Sequence, residues 1–315
     1  AKLAVYGDGK ELPQIAMSKF FRNGYFRSGY YRDQTFMMSI NQLTPDQFFA
    51  QLYAHTDIKK DPHSGGRQMN CHFGTRLLNE NGDWKTQTDM MNSVSDISCV
   101  SGQMPRIVGL AYASKLYRNN KNLSDMENFS INGNEVVFGT IGDASTSEGH
   151  FWEAINACGV LQVPLIMSIW DDGYGISVPS EYHTTRNDLS KALSGFQRSS
   201  KKENGYEIFT VHAWDYINLL KTYQKAEKLA REDHVPCIIH VKDVTQPQGH
   251  TTSGSHERYK SKERLNWEKD FCCIKRMREW IIENNFASNS EIEIIEKNAE
   301  DIAKKSRDRS WKSYR

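Results

Sequence analysis

An α/β fold, a parallel sheet flanked by helices, follows from three adjoining stretches of this 315-residue chain. Residues 136–141 form a short apolar, β-branched run that ends in Gly142-Asp143, the pattern of a buried strand running into a turn. Residues 163–170 form a second such run, and it ends in Asp171-Asp172-Gly173. Between them, Ser145-Thr146-Ser147-Glu148 offers capping candidates for a helix through Phe151, Trp152, Ala154, Ile155 and Cys158. A strand–helix–strand crossover makes its two strands parallel. Asp143 and Asp171-Asp172 are therefore expected at one carboxyl edge of the sheet, where open α/β sheets bind ligands.

Oxygen ligands on loops after parallel strands, beside a helix N-terminus, suit Mg²⁺ with a phosphate ester. The hard ion takes oxygen ligands and shares phosphate oxygens, and free N–H groups at the helix start receive the anion. A lone Gly-Asp or Asp-Asp-Gly is more often a plain surface turn. The paired, spaced arrangement argues against that reading here.

Length and a 38% hydrophobic content allow a full core. The expected organisation is one large α/β domain over 1–262 with a helical segment, 263–315, packed on it. A formal net charge of +1 gives no bulk-charge case for nucleic acid or an anionic membrane. The six cysteines are scattered without a Cys-x-x-Cys pair, which favours reduced thiols over a disulfide frame or zinc site. No apolar run reaches membrane-spanning length and no signal peptide is visible, so a cytoplasmic enzyme is the default expectation.

Taken in order, Gly24-Tyr25-Phe26 and the aromatic, glycine-rich stretch 29–34 read as a strand and a binding loop. Thr44-Pro45-Asp46 opens a helix through Phe48, Phe49, Leu52 and Tyr53, with proline in its first turn. A loop at 61–66 leads into 66–74, and His63 and His72 read as ordinary hydrogen-bonded histidines on or near it. After a turn at 96–105, a helix runs through Ile107, Leu110, Ala111 and Leu116. Residues 207–211 and 235–241 are further strands, separated by a helix over 216–231 with apolar spacing at Leu219, Leu220, Tyr223 and Leu229. Residues 246–255 are a glycine- and hydroxyl-rich loop. The charged segment 263–315 reads as amphipathic helices with solvated faces, and no chemistry is assigned to it.

The string GDASTSEG at 142–149, followed by DDGYGIS at 171–177, resembles the thiamine-diphosphate motif, usually GDG…NN. Its form is that of alpha subunits of the decarboxylase component of 2-oxoacid dehydrogenases. Ala144 stands where the family has glycine, and Asp171-Asp172 where it has two asparagines. The resemblance covers residues 9–315 and implies a thiamine-diphosphate-binding fold, transketolase-like, of the dehydrogenase alpha-subunit type. A helical segment that precedes the Tyr25 region in the family is expected to be missing.

The resemblance also implies thiamine diphosphate and Mg²⁺ as cofactors. Asp143, Asp172 and the Tyr174 carbonyl would hold the metal, with Gly142, Ala144 and Ser145 beside the diphosphate. Tyr31-Arg32 resembles the family's diphosphate-gripping pair, a role that suits a planar guanidinium. Ser98 and Val100 take positions that contact the aminopyrimidine. The loop with His250 and Thr251 resembles the family's GHHSTSD. That makes His250 a phosphate contact and a candidate catalytic group facing the acyl group or its lipoyl acceptor. Gly254 stands where the family has an aspartate.

GRQMNCHFG at 66–74 resembles a segment of the branched-chain members, which implies oxidative decarboxylation of branched-chain 2-oxoacids with acyl transfer to a lipoyl group. A pyruvate or acetoin version is the near alternative. A Mg²⁺-dependent phosphoryl-transfer enzyme with Asp143 as nucleophile, or a catalytically silent scaffold, are readings of other classes. The glutamate that activates the aminopyrimidine is not found in this chain's motifs. In the family it belongs to the beta subunit, so the implied partners are a beta subunit or fused beta half and the lipoyl domain of the acyltransferase.

Overall fold

The computed structural model describes residues 5–250 and 256–315. The chain runs through α1 (Glu11–Ser18), β1 (Phe26–Ser28), α2 (Gln34–Ser39), α3 (Pro45–Leu52), β2 (Asn92–Ser93) and α4 (Met104–Asn119). Next come β3 (Val137–Gly142), α5 (Gly149–Leu161), β4 (Leu165–Trp170), the small hairpin β5 (Tyr174–Gly175) and β6 (Val178–Pro179), and the single turn α6 (Leu189–Ala192). β7 (Glu207–His212), α7 (Tyr216–Asp233) and β8 (Cys237–Lys242) complete the sheet, and α8 (Lys262–Asp270), α9 (Cys273–Glu283) and α10 (Asn289–Tyr314) follow.

The main sheet has six strands in the order β2-β1-β3-β4-β8-β7, and each pairing is parallel. Side chains alternate across it as the period of two requires. Phe138, Ile166, Ile239 and Val241 enter the core under α1, α2 and α7. Val137, Ile141, Met167, Ile169 and Ile238 enter the core under α4 and α5. Covering both faces is what makes an all-parallel sheet stable, and it explains why β3, β4 and β8 read as near-continuous apolar runs. Each fully buried Ile, Leu or Phe contributes about 1.5–3 kcal/mol from area removed from water. At Gly139 a Cβ would lie 2.7 Å from Ile107 Cδ1 and 2.5 Å from Met167 Cε, so the bare glycine lets α4 sit close against β3.

The β3–β4 register pairs Gly142 with Trp170, so both strands end at the same level. Asp143 N–H then donates to Trp170 O at 3.1 Å, and Asp171 N–H to Val241 O at 2.9 Å. The acids leave the sheet side by side.

Local chemistry differs from the sequence reading at two places. The hydroxyl run before α5 does not cap it: Glu148 is the N-cap residue and makes no side-chain cap bond. Residues Ala144–Ser147 form a 3₁₀ turn instead, with Thr146 Oγ1 donating to Asp143 O at 2.6 Å. A helix, α1, also precedes β1 in a stretch the sequence reading left without one; its apolar positions Leu12, Ala16 and Met17 are buried. By contrast α3 carries a full capping box between Thr44 and Gln47, with Pro45 in the first turn. α10 lies along α3, where Arg309 bonds both carboxylate oxygens of Asp46 at 2.8 Å and Trp311 packs edge-on to Tyr53. Among the described residues, no helix is long and apolar enough to cross a membrane.

Candidate functional site

Loops from the carboxyl edge converge on a cleft of about 240 Å³. The loop after β1 brings Tyr31 and Arg32. The β3 end brings Gly142, Asp143, Ala144 and Ser145. The β4 end brings Asp172, with Tyr174 following in β5, and the loop after β8 brings His250. Val100, on the turn before α4, lines the same cleft; so do Tyr30, Gly175 and Ile176, which the sequence reading did not single out. Ser98 is not part of the lining. Its Oγ meets His72 Nε2 at 2.9 Å, and the His72 ring stacks on Tyr31 with centroids 6.4 Å apart. His72 is therefore a buried support behind Tyr31, while His63 bonds Gly74 O at 3.2 Å away from the cleft. Thr251 and Gly254 lie outside the described residues.

The two acids at the base of the cleft differ in their surroundings. Asp143 is buried, and among the described residues its Oδ2 has no hydrogen-bond partner. Burial, with Asp172 and Asp171 beside it, pushes its carboxyl well above the ordinary range. Burial acts on Asp172 as well, but Lys10, His250 and Arg32 outweigh it and hold that carboxyl well below the ordinary range. Asp172 Oδ2 accepts from Lys10 Nζ at 3.3 Å, and Oδ1 accepts from Tyr174 N–H at 3.2 Å with His250 Nε2 at 3.5 Å. Its carbonyl accepts from Arg264 Nη2 of α8 at 2.7 Å. Arg264 also lies over the Tyr174 ring, so the segment to which no chemistry was assigned positions this loop.

Asp171 faces another way. Its Oδ1 accepts from Gly173 N–H at 3.0 Å, and its Oδ2 lies 2.7 Å from Nε2 of the buried His240. Gly173 takes φ +77, where a glycine turns the chain at no steric cost. Arg32 is buried at the cleft wall, where Nη1 donates to Tyr6 O at 2.5 Å and Nη2 to His250 O at 2.8 Å. The guanidinium thereby joins the β1 and β8 loops.

Behind the Tyr30–Asp33 loop lies a buried ion network that sequence reasoning missed. Arg27, with no exposed side chain, is 2.7 Å from Asp33 Oδ2 and 3.0 Å from Asp96 Oδ2, and also donates to Ser93 Oγ at 2.7 Å. Thr140 Oγ1 of β3 donates to Asp33 Oδ2 at 2.6 Å. A Cβ on Gly29 would fall 2.0 Å from that carboxylate oxygen, so the glycine is required. Lys10, Arg27, Asp33 and Arg264 carried no sequence signal: Arg27 and Asp33 are only six residues apart, but the Asp96, Thr140 and Asp172 groups that complete these contacts lie far along the chain.

Among the described residues, no group of three His, Cys, Asp or Glu side chains forms a metal cage. A buried carboxylate oxygen without a partner among the described residues, on a side chain that lines the cleft, is nonetheless the chemistry of a hard-cation ligand completed by main-chain and phosphate oxygens. The residues present fit that pairing.

A parallel α/β sheet with acids from adjacent strand ends around one edge cleft defines an open α/β protein with a cleft where that class binds ligands. The chain belongs to the Dehydrogenase E1 component family, whose sequence profile matches residues 3–312. It is 27% identical over 206 residues to the pyruvate dehydrogenase E1 component subunit alpha of Rickettsia bellii (strain RML369-C), covering 65% of this chain and 56% of that one. It is 27% identical over 253 residues to the mitochondrial 2-oxoisovalerate dehydrogenase subunit alpha of Dictyostelium discoideum, covering 79% and 49%. To the Homo sapiens mitochondrial 2-oxoisovalerate dehydrogenase subunit alpha it is 26% identical over 238 residues, covering 75% and 44%. The chain thus spans about half the length of the curated relatives it matches.

Proposed function

We propose that this chain is the alpha part of a thiamine-diphosphate- and Mg²⁺-dependent decarboxylase that acts on branched-chain 2-oxoacids and passes the acyl group to a lipoyl group. The observation that carries the reading is the cleft itself: Asp143, whose Oδ2 has no partner among the described residues, lines it together with Tyr31, Arg32, Tyr174 and His250. Relatives named for pyruvate and for 2-oxoisovalerate match at equal identity. The branched-chain choice therefore rests on the likeness of segment 66–74 to that group.

In this reading Asp143, Asp172 and the Tyr174 carbonyl hold Mg²⁺. Tyr31, Arg32 and His250, with the main chain at Gly142, Ala144 and Ser145, receive the diphosphate. Val100 forms a wall for the aminopyrimidine, and Ser98 acts from behind Tyr31 through His72. When bound, thiamine diphosphate supplies the nucleophilic carbon and the electron sink that decarboxylation of a 2-oxoacid needs. His250 is the proton-handling group on this chain, since an imidazole exchanges protons near neutral pH. The burial of Asp143 and Asp172 keeps water from the metal side of the cleft. The activating carboxylate comes from a beta subunit or fused beta half, and the acyl acceptor from the lipoyl domain of an acyltransferase.

The test is calorimetry with thiamine diphosphate and Mg²⁺ on this chain together with its beta portion, followed by steady-state kinetics. Saturable, metal-dependent uptake is expected, with higher kcat/KM for 3-methyl-2-oxobutanoate than for pyruvate. Preference for pyruvate would move the chain to the pyruvate type. A phosphorylated Asp143 with no thiamine diphosphate uptake would replace the reading with phosphoryl transfer.

A further inference from the structure

Lys10, just ahead of α1, is 1% exposed, and its Nζ lies 3.3 Å from Asp172 Oδ2 and 2.5 Å from Gln246 Oε1. A buried ammonium is costly unless an anion and good acceptors meet it. Here the lysine reaches across from the N-terminal side of the fold to an acid on the β4 loop, 162 residues away in sequence. That acid stands where the motif's usual form has a neutral asparagine. An amide would place an NH₂ group, a donor, where Asp172 places Oδ2. Against Gln246 Oε1 and Lys10 Nζ the two alternatives have opposite needs: the carboxylate oxygen requires the ammonium, and the amide nitrogen would be repelled by it.

The charge sum points the same way. One carboxylate with one amide carries a single negative charge, and so do Asp143, Asp172 and Lys10 taken together. A second carboxylate left uncompensated would hold a divalent ion more strongly but would repel the diphosphate that must share it. Of the other charged groups beside this point, Arg32 and His250 lie on the diphosphate side of the cleft, Asp171 turns its Oδ2 to His240, and Arg264 meets the Asp172 carbonyl.

We propose that Lys10 is a positioning and specificity-determining residue of the cofactor site, the counter-charge that lets the Lys10–Asp172 pair act toward the metal and diphosphate as a neutral amide would. Asp172 Oδ2 is committed to Lys10, which leaves Oδ1, on the Tyr174 side, to face the ion. The inference rests on the thiamine-diphosphate reading of the same cleft.

The experiment compares the parent, Lys10→Met, Asp172→Asn and the double variant, each assembled with the beta portion. Three quantities are read: Mn²⁺ affinity by electron paramagnetic resonance without cofactor, Mg²⁺–thiamine diphosphate affinity by calorimetry, and melting temperature of the unliganded protein. Lys10→Met should bind Mn²⁺ more tightly and thiamine diphosphate more weakly, each by about tenfold. Asp172→Asn should weaken both by about tenfold, and the double variant should return to within about threefold of the parent. Both single variants should melt below both the parent and the double. A double variant no better than the worse single, or a Lys10→Met protein identical to the parent in all three readouts, overturns the assignment. A parent that takes up neither Mn²⁺ nor thiamine diphosphate removes the functional reading on which the assignment stands, and that failure is separate from loss of coupling between the two residues.

Discussion

Arg27 Nη2 and Asp96 Oδ2, both buried and 3.0 Å apart, tie strand β1 to the loop that carries Ser98 and Val100. Asp96 Oδ2 also accepts from Phe73 N–H at 3.0 Å, so the segment with His72 hangs from the same carboxylate. Two walls of the cleft are thus set by one ion network, which also includes Asp33 and Thr140. Removing one partner of a buried pair leaves the other charge uncompensated, at a cost of about 3–5 kcal/mol. Asp96→Asn and Arg27→Met should each lower the urea midpoint by a corresponding amount. An unchanged midpoint in both would show that the network contributes nothing to the fold.

Asp143 should trade stability for binding. Its carboxyl titrates well above its ordinary value of 3.8 because of burial first and the neighbouring Asp172 and Asp171 next. The native protein therefore holds a proton the unfolded chain has lost, and stability falls as pH rises from 3.8 to the elevated native value. Above that window the penalty is complete. Asp143→Asn removes it, so the unliganded variant should melt higher than the parent near neutral pH, by about 2–4 °C for each kcal/mol released, and the two should converge in acid. The same variant should lose Mg²⁺-dependent cofactor binding, since a hard cation loses a charged ligand. Equal melting curves together with equal cofactor affinity would remove both roles.

Ala144 and Gly175 form a reciprocal pair. A Cβ on Gly175 would lie 2.8 Å from Ala144 Cβ, which is closer than carbon atoms approach without rearrangement. Ala144 carries a methyl group where the family has glycine, and the bare Gly175 leaves room for it. Gly175→Ala alone should cost about 1–3 kcal/mol through overpacking. Adding Ala144→Gly should return most of it. Full additivity of the two changes in a denaturant titration would contradict the contact.

His234 gives the fold an acid limit. It closes α7 in the left-handed region, with φ 53, and its Nε2 lies 2.8 Å from Gly133 O. Burial lowers its pKa to about 4 from the ordinary 6.5. The ring stays neutral in the native state, so its contribution is whole above pH 6.5 and is lost as pH falls from there toward 4. After allowance for solvent screening this amounts to about 1–2 kcal/mol. His234→Asn keeps a residue that tolerates the left-handed cap and should flatten the stability profile across that window. A parent-like acid decline in the variant would assign the effect to other groups.

What the sequence revealed and what it hid divide along physical lines. Periodicity and strand-end acids are local, and from them the parallel sheet and the side-by-side exit of Asp143 and Asp171 could be read. Tyr31, Arg32, Val100 and His250 were found through motif resemblance, and the structure lines one cleft with them. Lys10, Arg27 and Arg264 were hidden because their partners lie 162, 69 and 92 residues away, and a lone charge gives no sign of what it will meet. The failed caps at Ser145–Ser147 have another cause. Those residues suit both an N-cap and a turn, and only the approach of the Asp143 carbonyl to Thr146 decides between the two.

The last prediction concerns what this chain does without a partner. At the mouth of the cleft Val100 is 48% exposed and Ile176 64%, and on the hairpin strand just past Ile176, Val178 is 44% exposed. Ile176 also sits at φ 60, a conformation that a β-branched side chain rarely adopts. Strain and exposed apolar surface beside a binding cleft mark a face made to be covered. In the proposed reading the motifs on this chain supply the metal and diphosphate end, and none supplies the carboxylate that would activate the aminopyrimidine. The chain should therefore self-associate when purified alone, bind thiamine diphosphate weakly and show no decarboxylation. Adding the beta portion should restore binding and turnover together, in an assembly of two alpha-like and two beta-like units related by symmetry. Ile176→Asp should block that assembly while leaving the circular dichroism spectrum of the chain unchanged. Decarboxylase turnover by the isolated monomer, or full assembly of the Ile176→Asp variant, would show that this face is not the one that completes the site.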